Sequence, residues 1–340
     1  MTFVDDLTAH LSSALHHKHG LSSVAYDWVM LSNGSADVHE CVVFFGFKNG
    51  DSYPTLVAKI PRLPEDEWVI RVEYERLVEI CDLIGMPDAE QHLPQPISYT
   101  SLHGQPVMVT SYVRGENLLR ATGKKIWQKP EQVRILAMDV AKSLRHIMDR
   151  TARQLTDNDR PSSDFQKKAD KFKQMHSLTE NELYVVENLV KEIVDNELKA
   201  SHKILLQGDF WHGNMIRGEE HGKLVFIDWQ YARWSTDASL DVYLFLLASS
   251  LVTVSRDMSV MERARGAVET LTTWQDNVIP SYLSAFGETD RYSLLSPRSG
   301  MLMCCIEKAV RASMDLGVDQ ENDLIWRFLF AELIKMKELA

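Results

Sequence analysis

Apolar positions along the chain fall into two regimes. Residues 5–17 carry Leu7, Leu11 and Leu15 four apart, the spacing of a short amphipathic helix. From about 24 to 110 the pattern turns to strands. Val42–Phe47 is rich in β-formers and runs into Lys48-Asn49-Gly50-Asp51, whose Asn-Gly pair predicts a hairpin returning as Thr55–Ile60. Residues 65–84 read as a helix with Val69, Val72, Leu77 and Ile80 on one face, and Val107–Thr110 as a further strand. Beyond Gly115 the periodicity is helical. Val133, Leu136, Ala137, Val140, Ala141, Leu144 and Met148 form the stripe of a long helix, and helices are expected at 180–199, 238–252, 257–275, 301–315 and 322–338. Two short strands, 203–207 and 223–227, bracket a polar loop. The pattern predicts an α+β chain with a β-rich N-terminal lobe, 1–113, and a mostly helical C-terminal lobe, 114–340.

Composition narrows the function classes. The chain has 340 residues, enough for about two folded units. Its formal net charge of −11 does not suit a general binder of nucleic-acid phosphates. The longest apolar run, 242–254, is too short and too interrupted to span a bilayer, which needs about twenty residues. Four scattered cysteines, with no C-x-x-C pair, read as free thiols in a reducing compartment. The expectation is a cytoplasmic protein that engages neither membrane nor nucleic acid. Nothing in the sequence specifies an oligomeric state. The basic run Lys167–Lys173, in a helical or loop stretch, reads as a solvated face.

The chemistry concentrates in Gln207-Gly208-Asp209-Phe210-Trp211-His212-Gly213-Asn214, followed by the apolar strand that ends at Asp228. Asp209 follows a strand and a glycine, which puts its carboxylate on a tight loop. Asn214 lies five residues on, near enough to return to the same place. Asp228 terminates an apolar strand, where a carboxylate has no packing reason to be. Two carboxylates and a carboxamide are hard oxygen ligands of the kind Mg²⁺ prefers, with one carboxylate to spare as a base. Lys59 stands in Val57-Ala58-Lys59-Ile60, an apolar strand in which an ammonium calls for an anion.

These segments resemble the aminoglycoside phosphotransferase and choline kinase-like superfamily. Its pattern is H-G-D-x-x-x-x-N followed by a strand ending I-D-[WFY], and the style here is most similar to the ecdysteroid-kinase and choline-kinase-like branches. The resemblance covers nearly the whole chain and implies a bilobal protein-kinase-like fold. It further implies a phosphotransferase that uses ATP and Mg²⁺ to phosphorylate a hydroxyl of a small molecule. Asp209 matches the catalytic base, and Asn214 and Asp228 match the metal-holding pair. Lys59 matches the lysine on the ATP phosphates, and Glu73, four residues before Leu77, its helix partner; Glu75 is read as solvent-facing. Gly34 and Ser35 fall where the family covers the phosphates, and Thr110 and Tyr112 where its hinge lends backbone groups to adenine. Asp241 matches an anchor for the catalytic loop, and Asp237 is a candidate cap for the helix that follows.

Two positions depart from the pattern. Gln207 replaces the usual His before Gly-Asp, and His212 a residue that is commonly Pro. There is no His-Arg-Asp, Asp-Phe-Gly or Ala-Pro-Glu, which argues against a protein kinase. A catalytically silent nucleotide-binding scaffold is the second reading. A metal hydrolase on Asp209, His212 and Asp228 is the third, and no H-x-H or H-E-x-x-H spacing supports it.

Overall fold

The computed structural model describes residues 3–19, 25–32, 41–156, 164–316 and 321–336. The chain divides into two compact units, 1–116 with 215–232, and 117–214 with 233–340.

The first unit begins with helix α1 (Phe3–His19), followed by strands β1 (Tyr26–Ser32), β2 (Cys41–Lys48) and β3 (Leu56–Pro61). Helices α2 (Glu67–Ile84) and α3 (Asp88–His92) come next, then β4 (Pro96–Leu102), β5 (Gln105–Ser111) and β6 (Gly115–Asn117). Five strands form one antiparallel sheet in the order β1-β2-β3-β5-β4. The period-2 alternation of β3 sends Leu56, Ala58 and Ile60 into a core shared with Val107, Val109, Leu7 and Leu11. Lys59 is thereby left on the opposite face. The third leucine of the predicted stripe, Leu15, has a side chain outside the described set.

The second unit starts with α4 (Leu118–Trp127), α5 (Pro130–Thr151), β7 (Arg153–Gln154), α6 (Asp164–Met175), α7 (Glu180–Glu197) and β8 (His202–Leu206). The chain then returns to the first unit as the hairpin β9 (Met215–Gly218) and β10 (Leu224–Phe226), which forms a small sheet with β6. It re-enters the second unit as β11 (Arg233–Ser235), which pairs with β8, and ends in α8 (Ser239–Val252), α9 (Val260–Trp274), α10 (Val278–Phe286), α11 (Pro297–Leu316) and α12 (Glu321–Lys335). Thr179 and Ser259 open α7 and α9 with reciprocal capping boxes. Helix α8 is mostly apolar and almost wholly buried, with Ser239 and Asp241 in its first turn; α11 packs on it and on α12, and α10 lies along α5. The two strands expected to bracket one loop therefore belong to different sheets, because β10 pairs with β9 and β8 with β11.

Candidate active site

In the first unit, three charged side chains meet from three separate segments. Lys59 reaches from β3 to Glu73 on α2, with Nζ 2.8 Å from Oε1 and 2.9 Å from Oε2. Glu73 sits on the buried stripe of α2 among Val69, Ile70, Leu77 and Ile80, while Glu75 is exposed. The same ammonium donates to Oδ1 of Asp228, just beyond β10. Asp228 adopts φ 57°, the left-handed region that a non-glycine residue enters at a cost. Burial pulls the Lys59 pKa down, but Asp228 and Glu73 more than offset it and hold it above the ordinary lysine value. Burial pushes Glu73 up, since one ammonium serves two carboxylates; Lys59 and the Trp229 backbone N–H pull the other way. Trp229 itself is core, its indole N–H bonded to Phe226 O at 2.9 Å.

The second unit holds the loop 207–214, anchored by its own backbone. Gly208 has φ 79°, a turn natural to glycine, and the N–H groups of Gln207 and Gly208 both donate to Asp241, at 2.6 and 2.9 Å. Asp241 is fully buried, which pushes its pKa up to about 6 against those two bonds. Gln207 accepts the Asp209 N–H on its side-chain oxygen at 2.8 Å, a bond that helps to hold the loop. Asn214 turns its amide nitrogen onto Asp209, 3.0 Å from the backbone O and 3.0 Å from Oδ2. From α11, Lys308 Nζ lies 2.5 Å and Arg311 Nη1 3.4 Å from Asp209 Oδ1. Burial alone would raise the Asp209 pKa, but Lys308 and Arg311 outweigh it and hold the carboxyl below its ordinary range.

These arrangements bear on the family likeness of the sequence. The profile of the phosphotransferase enzyme family matches residues 41–275, more than half of the chain. The chain belongs to that family. Among solved structures, one assigned as a fructosamine-3-kinase from Haemophilus somnus 129PT superposes with a TM-score of 0.53 at 12% identity, covering 95% of this chain and 96% of its own. A choline/ethanolamine kinase family protein from Mesorhizobium loti gives 0.52 at 11% identity, with 99% and 97% covered. At these identities the likeness is one of fold, and it is the kinase-like α+β fold expected from the sequence. No curated protein sequence is significantly similar to the chain.

For this phosphotransferase, the sequence-derived residues group as Lys59, Glu73 and Asp228 in one unit and Asp209 and Asn214 in the other. Thr110 is buried in β5, and the N–H groups of Ser111 and Tyr112 are engaged by Gln95 O and Thr55 O, each at 2.8 Å. Gly34 and Ser35 lie outside the described residues. His212 does not bond backbone, as a loop histidine commonly does. It is buried between Trp127 and Trp211, each ring centroid 5.1 Å away, and neither ring nitrogen has a hydrogen-bond partner among the described residues. Burial lowers its pKa to about 4, so it is a neutral wedge. The Trp211 ring leaves no room at Gly213, where a Cβ would come within 2.3 Å of it. The N-cap position of α8 is Ala238, not Asp237, which lies one residue further out and accepts the N–H of Ser239, the first helical residue, at 2.8 Å. Within the basic run, Lys168 is not simply a solvated side chain: half-buried, it bonds the buried Glu307 at 2.8 Å. The sequence reading missed Lys308 and Arg311. Their one signal is that charges at 307, 308 and 311 interrupt a helix whose preceding turns are apolar.

Proposed function

We propose that this chain is an ATP- and Mg²⁺-dependent kinase that transfers the γ-phosphoryl group of ATP to a hydroxyl of a small molecule. The observation that carries the reading is the convergence of Lys59, Glu73 and Asp228, residues with no packing reason to be charged, on one another. In this reading residues 1–113 hold the nucleotide and 114–340 the acceptor, with the 215–232 return supplying Asp228. Lys59, steered by Glu73, binds the nucleotide phosphates. Gly34, Ser35 and the Thr110–Tyr112 segment serve the rest of the nucleotide. The donor set suits magnesium: Asp228 is the most exposed member of a trio with one negative charge in excess, and Asn214, its amide nitrogen spent on Asp209, has a carboxamide oxygen to offer. When bound, the ion neutralises charge on the phosphates.

Asp209 orients the acceptor hydroxyl. The acceptor oxygen forms a bond to the γ-phosphorus, the bridging β–γ P–O bond breaks, ADP departs, and the hydroxyl proton leaves by way of Asp209. Positioning and charge supply most of the acceleration in such transfers. Structures named for fructosamine and for choline or ethanolamine support a small-molecule acceptor, and the use of ATP fits a cytoplasmic setting.

The test is ATP turnover against a panel of hydroxylated acceptors with Asp209→Asn and Asp228→Ala. Asp209→Asn is expected to lower kcat by about 10²–10⁴-fold with nucleotide Kd unchanged. Asp228→Ala should instead weaken Mg²⁺-dependent nucleotide binding. Full turnover by Asp209→Asn would remove it from the role, and nucleotide binding with no turnover on any acceptor would favour the silent scaffold.

A further inference from the structure

Helix α4 touches the loop 207–214 at both of its ends. At its start, Asn117 accepts the Leu119 N–H on Oδ1 at 3.0 Å, an N-cap bond, and donates from Nδ2 to Gly213 O at 2.6 Å. An N–H on one side and a carbonyl on the other fix which amide atom faces which, so one carboxamide both caps the helix and holds the loop. At its end, Trp127 is fully buried against the His212 ring. Neither the indole N–H of Trp127 nor either ring nitrogen of His212 has a hydrogen-bond partner among the described residues, so packing alone joins them. Buried polar atoms left unbonded in this way cost stability. What the contact provides is placement: His212 is pinned between Trp127 and Trp211, and the Trp211 ring closes over Gly213. Between its two contacts α4 is broken at Gly123, with φ 58° and ψ 159°, a conformation open essentially to glycine alone. No atom lies within 4 Å of where a Cβ would sit, so the glycine is there for its backbone and not for room. Ten residues of straight helix rise about 15 Å, whereas consecutive Cα atoms such as those of His212 and Gly213 lie about 3.8 Å apart. The break lets one helix address both.

We propose that α4 braces the loop 207–214, with Asn117, Trp127 and His212 as positioning residues that act on Asp209 through Asn214. The proposal rests on the phosphotransferase reading above. The path is short. Helix α4 fixes residues 212 and 213, Asn214 follows at once, and its amide nitrogen is 3.0 Å from both the backbone O and Oδ2 of Asp209. A slip of the Gly213 carbonyl therefore carries Asn214 with it and loosens the carboxylate that orients the acceptor hydroxyl. Misplacement of a reacting group by about 1 Å costs about 100-fold in rate, even when the altered residue is remote from the chemistry. His212 serves here by the shape of its ring and not by its nitrogens.

The experiment uses the full chain with ATP and Mg²⁺ and takes, from choline, ethanolamine, glucose and glycerol, the acceptor with the highest wild-type turnover. Asn117→Ser keeps a good N-cap but is too short to reach Gly213 O as well. It should lower kcat by about tenfold or more, leave acceptor KM and nucleotide Kd within about threefold, and leave the urea midpoint near that of wild type. Gly123→Ala, which strains the break without meeting any atom, should lower kcat in the same way. His212→Phe keeps the wedge and removes the unbonded nitrogens, so it should hold kcat within about threefold and raise the urea midpoint. His212→Gly should lose as much turnover as Asn117→Ser. Apart from turnover, fluorine NMR of fluorotryptophan-labelled protein should show the Trp211 resonance, assigned with Trp211→Phe, shifted in Asn117→Ser. Wild-type kcat in Asn117→Ser, or an unmoved Trp211 resonance, overturns the proposal while leaving the phosphotransferase reading intact. So does a loss confined to acceptor KM or nucleotide Kd. Lost turnover in a folded His212→Phe overturns the role of the ring by shape and places the imidazole in the chemistry. ATP binding without wild-type turnover on any of these acceptors overturns both readings. Asn117→Ser decides even if a substitution at Gly123 or His212 does not fold.

Discussion

Removing the Lys59 charge tests whether the first-unit cluster is as buried as its geometry implies. At an N···O distance of 2.8 Å and an effective dielectric near 20, the attraction to Glu73 is roughly 6 kcal/mol before desolvation. Glu73 is 3% exposed, so Lys59→Met strands a buried carboxylate beside a second one. Breaking a buried pair from one side costs about 3–5 kcal/mol, or between two and four powers of ten in the unfolding equilibrium. The penalty has a pH signature. Glu73 already has a raised pKa in the folded protein, and without Lys59 it rises further, so the folded variant binds a proton that the unfolded chain does not. Stability of the variant therefore falls as pH rises above about 4.5, the ordinary glutamate value. The loss should be smaller at pH 5 than at pH 8. Adding Glu73→Leu replaces the remaining charge with an apolar group and should recover at least about 2 kcal/mol, while nucleotide binding stays lost. Urea denaturation followed by tryptophan fluorescence at the two pH values reads all of this, with Trp229 as a reporter inside the first unit. A Lys59→Met variant within about 1 kcal/mol of wild type at both pH values would refute the reasoning.

Asp241→Asn should cost about 2–3 kcal/mol in urea denaturation and lower kcat, because an amide offers one acceptor where two backbone N–H groups need one each; unchanged turnover would detach Asp241 from the loop. Glu197 lines a cavity of about 160 Å³ with Asp164 and Asp237, and burial together with those two acids raises its pKa to about 7. Its folded-state pKa lies above the unfolded value, so its effect on stability becomes unfavourable as pH rises from about 4.5 through 7. Glu197→Gln should thus raise the unfolding free energy at pH 8 but not at pH 4, by about 1 kcal/mol once solvent screening is allowed for, as urea denaturation at the two pH values reads. Asp209 has a lowered pKa and stays ionised below the usual aspartate range. The acid limb of kcat/KM should therefore not report it in the wild type, and Lys308→Gln should move that limb upward.

What the sequence made legible is what local pattern dictates. The strand β3 and the helix α2 were legible from their periods, and those periods place Lys59 on the face away from Leu56, Ala58 and Ile60 and Glu73 on the buried stripe with Leu77. The choice of Glu73 over Glu75 came from the family resemblance. The loop 207–214 was legible for another reason: Gly208 needs its positive φ, and a carboxylate after such a turn has few places to go. Pairing across long separations was not legible. Strands β8 and β10 look alike as short apolar runs, and their assignment to different sheets depends on β9 and β11, which are four and three residues long. Lys308 lies 99 positions beyond Asp209, and no spacing rule links an α11 face to a loop that far upstream. The same holds for Lys168 and Glu307, where a run of lysines that reads as surface supplies the counter-ion of a buried glutamate.

The electrostatics divide the acids near the family motifs by task. Glu73 and Asp241 are pushed up and Asp209 is pushed down, although all three are buried or nearly so. Burial alone would raise all three, so the difference lies in partners: Asp241 has backbone dipoles, Glu73 half of one ammonium, and Asp209 two full cations. A carboxylate stabilised in this way is a weak base, so in the proposed reaction it first orients the hydroxyl as a fixed negative charge and takes the proton only late, as the bond to phosphorus forms. That suits a reaction in which little covalent work falls to the protein and placement of the nucleophile supplies the rate. Helix α11 is thus tied to the loop 207–214 through Asp209, as much as it is a packing partner of α8 and α12.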